Sequence, residues 1–332
     1  MGQSSVRRHL LLAAASALAL GAAPGPASAQ PAPGWPTAPI RLISPFAPGG
    51  SSDSLARLLA PELARRLGQQ VIVENRPGAG GNIGLDAVAK SRPDGYTLAL
   101  ASPGPLVVNV TLMNSLPYDP VRDFKPISLI ADLPIVLVAH PSVNANTVAE
   151  LVALEKTRPG TLSFASAGTG TTMHLSGELL NMMAGTNLLH VPYKGAAPAM
   201  TDILGGQVQL GFVDLPSVAG HAKAGRVKLL AVGNPRRTQT APELPTISES
   251  GVPGYETGGW FGVLAPAGTP EPVIARLHAA IADTMKTPAV RERILAIGIE
   301  PMATSPDEFA GFIRSEIQKW ARVIEASNAR GK

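Results

Sequence analysis

PIRLISPFAPGGSSDSLARLLAPEL, residues 39–63, reads as a strand, a small-residue loop and a helix. Residues 40–44 are an apolar strand, and the helix expected over 52–67 carries Leu55, Leu58, Leu59 and Leu63 on one face, with Arg57, Glu62, Arg65 and Arg66 off it. Gly68 supplies the stop. TLSFASAGTGTTMHLSGELL, residues 161–180, repeats the pattern. In each unit the first helical amides have no acceptor inside the helix and carry a partial positive charge, which suits an anion. Two such termini suggest two lobes closing on one anionic ligand, without a nucleophile or a metal.

Strands and helices alternate outward from these units. After the first helix come a strand at 71–75, a short helix at 83–90 and a strand at 96–102, the order of a parallel sheet covered on both faces. The apolar run ISLIADLPIVLVAH, residues 127–140, is broken by Pro134, as expected where a chain passes between sheets. A second series follows: helices near 148–156, 172–183 and 197–204 alternate with strands near 162–165, 188–191 and 208–213. VKLLAVG at 227–233 reads as the return crossing. GWFGVLAP at 259–266 and helices near 271–286, 288–296 and 306–327 then complete the first lobe. The expected organisation is a discontinuous lobe 1, residues 37–127 and 245–332, around a continuous lobe 2, residues 128–244, with two crossing segments as the hinge.

The N-terminus has the order of an export signal over residues 1–29. Arg7 and Arg8 precede an apolar run from Leu10 to Ala23, and Ala27-Ser28-Ala29 forms the cleavage site. The run is shorter than a bilayer span requires. The arginine pair leaves both general secretion and the twin-arginine route open, although Val6 and Leu10 fit the latter poorly. The chain has no cysteine, which excludes disulfides, thiol nucleophiles, thiolate metal sites and a lipid-modified N-terminal Cys. A periplasmic protein that does not itself span the membrane is expected. The formal charge of +4 includes the two leader arginines, and the remaining basic residues are scattered among acids. With only 3 Trp, 4 Tyr and 7 Phe, no basic stripe with interleaved aromatics exists to bind nucleic acid.

The strings PFAPGGSSD, GQQVIVENRPGAGGNIG, PDGYTL, LPYDPVRDFKPISL, SAGTGTTMHL, HVPYKG, GGQVQLGF, LPTISESGVPGYE and WFGVLAPAGTP occur in this order across nearly the whole mature chain. They closely resemble the Bug family, the extracytoplasmic solute receptors of tripartite tricarboxylate transporters, which includes the citrate-binding TctC proteins. The resemblance implies an α/β, type II periplasmic binding-protein fold, with the ligand cleft between two lobes. It also implies a small carboxylate ligand (a di- or tricarboxylate, an amino acid or an aromatic acid) held largely through backbone amides and ordered water. Two integral membrane subunits, TctA-like and TctB-like, are the implied partners of a monomeric receptor that uses no cofactor. Ala47-Pro48 occupies a variable position of the family, and Gln209 stands where the family often has Asp.

Candidate ligand-binding residues follow from the loops and the resemblance together. Phe46, Ala47, Gly49, Gly50, Ser51 and Ser52 form the first loop, where glycine lets backbone approach a ligand and serine donates; N-capping is the alternative use. Asp53 would repel an anion and reads mainly as a cap. Gly168, Thr169, Gly170, Thr171 and Thr172 form the second loop, with a simple tight turn as the alternative. His174 either packs within the helix or donates to the carboxylate. Asn82 follows GAGG and either donates to ligand or caps; GAGGNIG fails the dinucleotide fingerprint, since Ile83 stands where the third glycine belongs. Ser102 ends a strand, where α/β sheets place ligands. Tyr193 and Lys194 follow a second-lobe strand, and Lys194 either supplies a mobile cation facing the anion or is an ordinary solvated lysine. Asp214 would hold an amine or hydroxyl of the ligand, or cap the next helix. Trp260 would pack either at the hinge or in the core.

Two other classes remain open at this stage. A ligand sensor for a membrane signalling partner would use the same site. A hydrolase or transferase would need distant residues such as Ser166, His174 and Asp214 to converge, because no local catalytic motif is present and the histidines lack the spacing of a metal pair.

Overall fold

The computed structural model describes residues 34–193 and 195–327. The expected export leader and Lys194 lie outside the described residues. The rest forms two sheets, each with helices on it.

The first sheet has the order β11-β4-β10-β3-β1-β2. β1 (Ile40–Ser44) pairs in parallel with β2 (Val71–Asn75) and β3 (Thr97–Ala101). β10 (Gly259–Pro266) inserts antiparallel between β3 and β4 (Phe124–Leu133), and the two-residue β11 (Glu300–Pro301) edges β4. The second sheet has the order β7-β6-β8-β5-β9. β6 (Ser163–Ser166) lies parallel to β7 (Leu189–Pro192) and β8 (Leu210–Asp214), while β5 (Ile135–Ala139) runs antiparallel between β8 and β9 (Lys228–Val232).

Helix α1 (Ser51–Leu67) buries Leu55, Leu58, Leu59, Leu63 and Leu67 against the first sheet, the leucine face expected from its period. It stops at Gly68, whose left-handed φ of 76° lets its N–H reach Ala64 O. α2 (Asn82–Ala89) follows β2, and residues Gly104–Val108 and α3 (Asn109–Leu112) follow β3. On the second sheet lie α4 (Val148–Thr157), α5 (Thr172–Ala184), α6 (Ala196–Leu204) and α7 (Leu215–Lys223). After β10 come α8 (Glu271–Lys286), α9 (Pro288–Ala296) and α10 (Pro306–Ser327).

The first crossing falls at the Pro134 break of the 127–140 run, beyond the boundary expected at 127/128, and the return falls later than 227–233. β4 runs through Leu133 within the first sheet, with Asp132 opposite Trp260, so residues 128–133 pair there and the chain passes over at Pro134. Proline has no N–H to extend the ladder. A strand buried on both faces gives no periodic sign of which sheet it joins. On the return, Val232 N donates to Pro245 O and Ile247 N to Val232 O, which keeps residues 245–247 with the second sheet. The tail then binds the two sheets together: Phe309, Ile313, Trp320 and Ile324 of α10 share one apolar cluster with Leu175 and Leu179 of α5. Trp260 is core, edge-on to Phe309 at 5.8 Å, with its Nε1–H on Glu316.

Two features of this frame are testable. A Cβ on Gly262 would lie 2.1 Å from Cζ of the fully buried Phe309 ring. Gly262→Ala is therefore expected to lower stability by about 1–3 kcal/mol through overpacking, read as a lower urea midpoint at unchanged slope. At the return crossing, Asn234 Nδ2 donates to Asp132 at 2.9 and 3.1 Å. Glu300, opposite Asp132, accepts from Thr238 Oγ1 and Gln239 N. Burial, with the charge of Glu300 added, raises the pKa of Asp132 to about 6, against the pull of Asn234. A raised carboxyl pKa means that protonation favours the folded chain. The contribution is complete below about pH 4 and is lost as pH rises through about 6. Asp132→Asn should flatten the stability profile across that window in denaturant titrations; an unchanged slope would remove Asp132 as its source.

Candidate functional site

The first loop leaves β1 at Ser44 and enters α1 with Gly50 as N-cap. No side chain among the described residues caps this terminus. Asp53 turns back and accepts from Gly49 N at 3.0 Å, Arg57 Nε at 3.0 Å and Asn75 Nδ2 at 2.9 Å. Burial works against its charge, yet these bonds, led by Arg57, hold its pKa below the usual carboxylate value. Asp53 thus takes the Gly49 amide, while Asn75 also fixes Phe46 O at 3.1 Å. Ala47, Gly49 and Gly50 are exposed, and Phe46 and Ser51 are half-buried. Adjacent serines divide: Ser52 is buried with Oγ 2.8 Å from Ser44 Oγ, fastening the helix to β1, whereas Ser51 faces Asp214 of the second sheet and opposes the rise of its pKa.

Ser102 follows the last residue of β3 and is 6% exposed, and its Oγ has no hydrogen-bond partner among the described residues. Asn82 neither caps α2, where Gly81 is the N-cap, nor lies open. Its Oδ1 accepts from Asn109 Nδ2 at 2.9 Å and lies 2.9 Å from Tyr118 Oη, and its Nδ2 lies 3.0 Å from Met113 Sδ. It is a buried hub that ties α2 to the segment after β3. The glycines beside it answer to close approach: a Cβ on Gly84 would lie 2.8 Å from Pro45 Cβ, and one on Gly81 3.0 Å from Pro105 Cγ.

In the second lobe several expected donors are engaged locally. Gly168 N donates to Ser166 Oγ at 3.1 Å, and Gly170 N to His174 Nδ1 at 3.3 Å. Thr171 is the N-cap of α5: its Oγ1 accepts from His174 N at 3.3 Å and donates to Gly168 O at 2.7 Å. Thr169 is exposed and Thr172 is buried. Helical geometry leaves the amides of Thr172 and Met173 without an intrahelical acceptor. His174 is wholly buried. Its place is behind the loop, because a 0% exposed ring that accepts from Gly170 is committed to the protein interior. Tyr193 Oη is committed to Asp202 at 2.6 Å, and burial with that carboxylate pushes its pKa up to about 12. Asp214 caps α7 through Ser217 N at 2.9 Å and the Ser217 hydroxyl, and burial raises its pKa. Ser166 Oγ lies 2.7 Å from Nε2 of His190, not on His174, so Ser166, His174 and Asp214 do not form a relay.

The segments that follow β3 and β6 meet along a seam between the two sheets. Ser51 lies beside Asp214 across it. Further along, a Cβ on Gly104 would lie 3.4 Å from Gly170 O, and one on Gly170 would lie 2.8 Å from Leu112 Cδ2 and 2.9 Å from Asn109 Oδ1. Gly170, with φ of 80°, has neither the backbone freedom nor the room for a side chain. Gly104, Asn109 and Leu112 escape the sequence reading, since residues 103–112 carry no strand or helix period. The only signal there is the Pro-Gly-Pro that follows Ser102.

A sequence profile described as "Tripartite tricarboxylate transporter family receptor", TctC, matches residues 55–329. The chain is 42% identical to Protein BugT of Bordetella pertussis over 299 residues, covering 90% of this chain and 92% of the relative. R. palustris Rpa4515 with adipate shares the fold at TM-score 0.83 and 37% identity, covering 89% of this chain and 98% of that one. The periplasmic binding protein BugD gives TM-score 0.80 and 36% identity over 89% of this chain and 99% of that one. MatC from Rhodopseudomonas palustris with bound malate gives 0.79 and 32% over 87% and 100%. Two α/β sheets joined by paired crossings, in a chain this similar to those proteins, make the fold that of a type II periplasmic binding protein, and the chain belongs to the TctC family of solute receptors.

Proposed function

We propose that this receptor captures a small carboxylate in the periplasm, at the seam between its two sheets, and presents it to a TctA-like and TctB-like pair of membrane subunits for uptake. The observation that carries the reading is the seam itself. The side-chain-uncapped terminus of α1, the unpartnered Ser102 hydroxyl and the 169–173 segment all border the carboxyl ends of the two sheets. α/β folds hold ligands in such crevices, and exposed helix N-termini suit an anion. The candidate donors are the amides of the first turn of α1, the hydroxyls of Ser51, Ser102, Thr169 and Thr172, and the amides of Thr172 and Met173. Adipate and malate, named with two of the similar structures, make dicarboxylates the first class to test. Export through the cleavable leader accompanies this role. Among the described residues no helix is long and apolar enough to cross a membrane.

Adipate, malate and citrate titrated onto refolded, ligand-free protein should include one that raises the melting temperature, by about 2.7 kcal/mol of apparent stability at a hundredfold excess over Kd, and that is recovered unchanged. Conversion of the ligand at a rate abolished in a site variant would instead support an enzyme. Ser102→Ala separates binding from folding: it removes a buried hydroxyl with no protein partner, so stability should hold or rise while affinity falls about tenfold. Wild-type affinity in that variant would exclude Ser102 from the site.

A further inference from the structure

Behind the 166–172 loop lies a ring stack for which ligand capture supplies no direct use. Phe164 of β6, His190 of β7 and His174 of α5 form a ladder. Phe164 and His190 are 5.0 Å apart at 27°, and His190 and His174 are 4.0 Å apart at 23°. Each imidazole grips one end of the loop. His190 Nε2 lies 2.7 Å from Ser166 Oγ, the atom that accepts the Gly168 amide. His174 Nδ1 accepts the Gly170 amide at 3.3 Å. With Nδ1 as acceptor, the proton of the neutral ring sits on Nε2, and Glu178 Oε1 is 3.7 Å from that nitrogen.

A wholly buried imidazole is a costly way to fill a core position that leucine would fill better, so the Nδ1 acceptor accounts for its presence, Nε2 having no hydrogen-bond partner among the described residues. The loop also needs holding. Gly168 and Gly170 have φ of 133° and 80°, and glycine loses more conformational freedom on ordering than any other residue. Fixing the Gly170 N–H on the ring fixes the plane of the Thr169–Gly170 peptide. That in turn fixes the turn leading into the Thr171 cap and the first amides of α5.

We propose that His174 and His190 are positioning residues: a stacked pair that locks the second-lobe loop, through Gly170 and Ser166, in the conformation that receives the carboxylate. The proposal rests on the ligand-binding reading above, and its test has one arm that needs no ligand. Amide hydrogen exchange over residues 166–172 is measured on the ligand-free full chain for wild type, His174→Leu, His174→Asn and Ser166→Ala, beside titrations with adipate and malate and a urea midpoint. Leucine keeps the volume and removes the acceptor, whereas asparagine sets Oδ1 where Nδ1 stood.

The expected result is faster loop exchange and about threefold to tenfold weaker binding in His174→Leu, with both restored in His174→Asn and the urea midpoint little changed. Wild-type exchange in His174→Leu, or an Asn variant no better than Leu, would reduce the pair to packing and overturn the proposal. Faster exchange with unaltered affinity would overturn it equally, since the lock would then not serve the site. If His174→Leu fails to fold, Ser166→Ala decides: its loop must exchange faster than wild type for the proposal to stand. If neither acid binds wild type, the binding reading fails, while the exchange arm still decides whether the lock exists.

Discussion

An α-helix cannot satisfy its own first amides, and the fold of this receptor is arranged around two helices in that condition. α1 follows the parallel strand β1 and α5 the parallel strand β6, and the Gly170 turn ahead of α5 packs on the segment that follows β3. The two termini are treated differently. α1 has no side-chain cap, because Asp53 spends itself on Gly49, Arg57 and Asn75. α5 is capped by Thr171 and backed by His174. In the binding reading proposed above, the first loop would offer backbone, and the second a braced turn with a few remaining donors. Binding an anion on such preorganised dipoles avoids the desolvation cost of burying a counter-charge.

Much of this was legible in the sequence because helix and strand periods survive wherever one face is apolar. The leucine face of α1 and the stop at Gly68 follow directly from residues 51–68, and the two small-residue loops announce themselves by composition. The misplacements have physical reasons. Pro134 marks the crossing within the 127–140 run, but β4 is buried on both faces, so its pattern does not tell that residues 128–133 pair in the first sheet and not in the second. The segment from Gly104 to Leu112 lacks any period yet supplies Asn109 and Leu112 to the seam.

Side-chain direction was the other blind spot. Ser51 and Ser52 are neighbours of identical chemistry, and only their angular positions on the helix turn one toward Asp214 and the other onto Ser44. Asn82 and Asp214 read as ligand contacts or caps, and Tyr193 as a ligand contact; in the structure Asn82 is held by Asn109 and Tyr118, Tyr193 by Asp202, and Asp214 caps its helix through Ser217. Polar residues at strand ends are drawn to whatever partner is nearest in space. That partner is invisible to local pattern.

The insertion of β10 between β3 and β4 also bears on how the chain assembles. Every strand of the second sheet, β5 to β9, precedes β10 in the chain. The central slot of the first sheet stays vacant until residues 259–266 are available, although β1 to β4 are made first. During vectorial synthesis the later-encoded sheet is thus the first able to complete its hydrogen-bond ladder. The earlier-encoded one must wait with unpaired strand edges at β3 and β4, a long-range closure of the kind that slows folding.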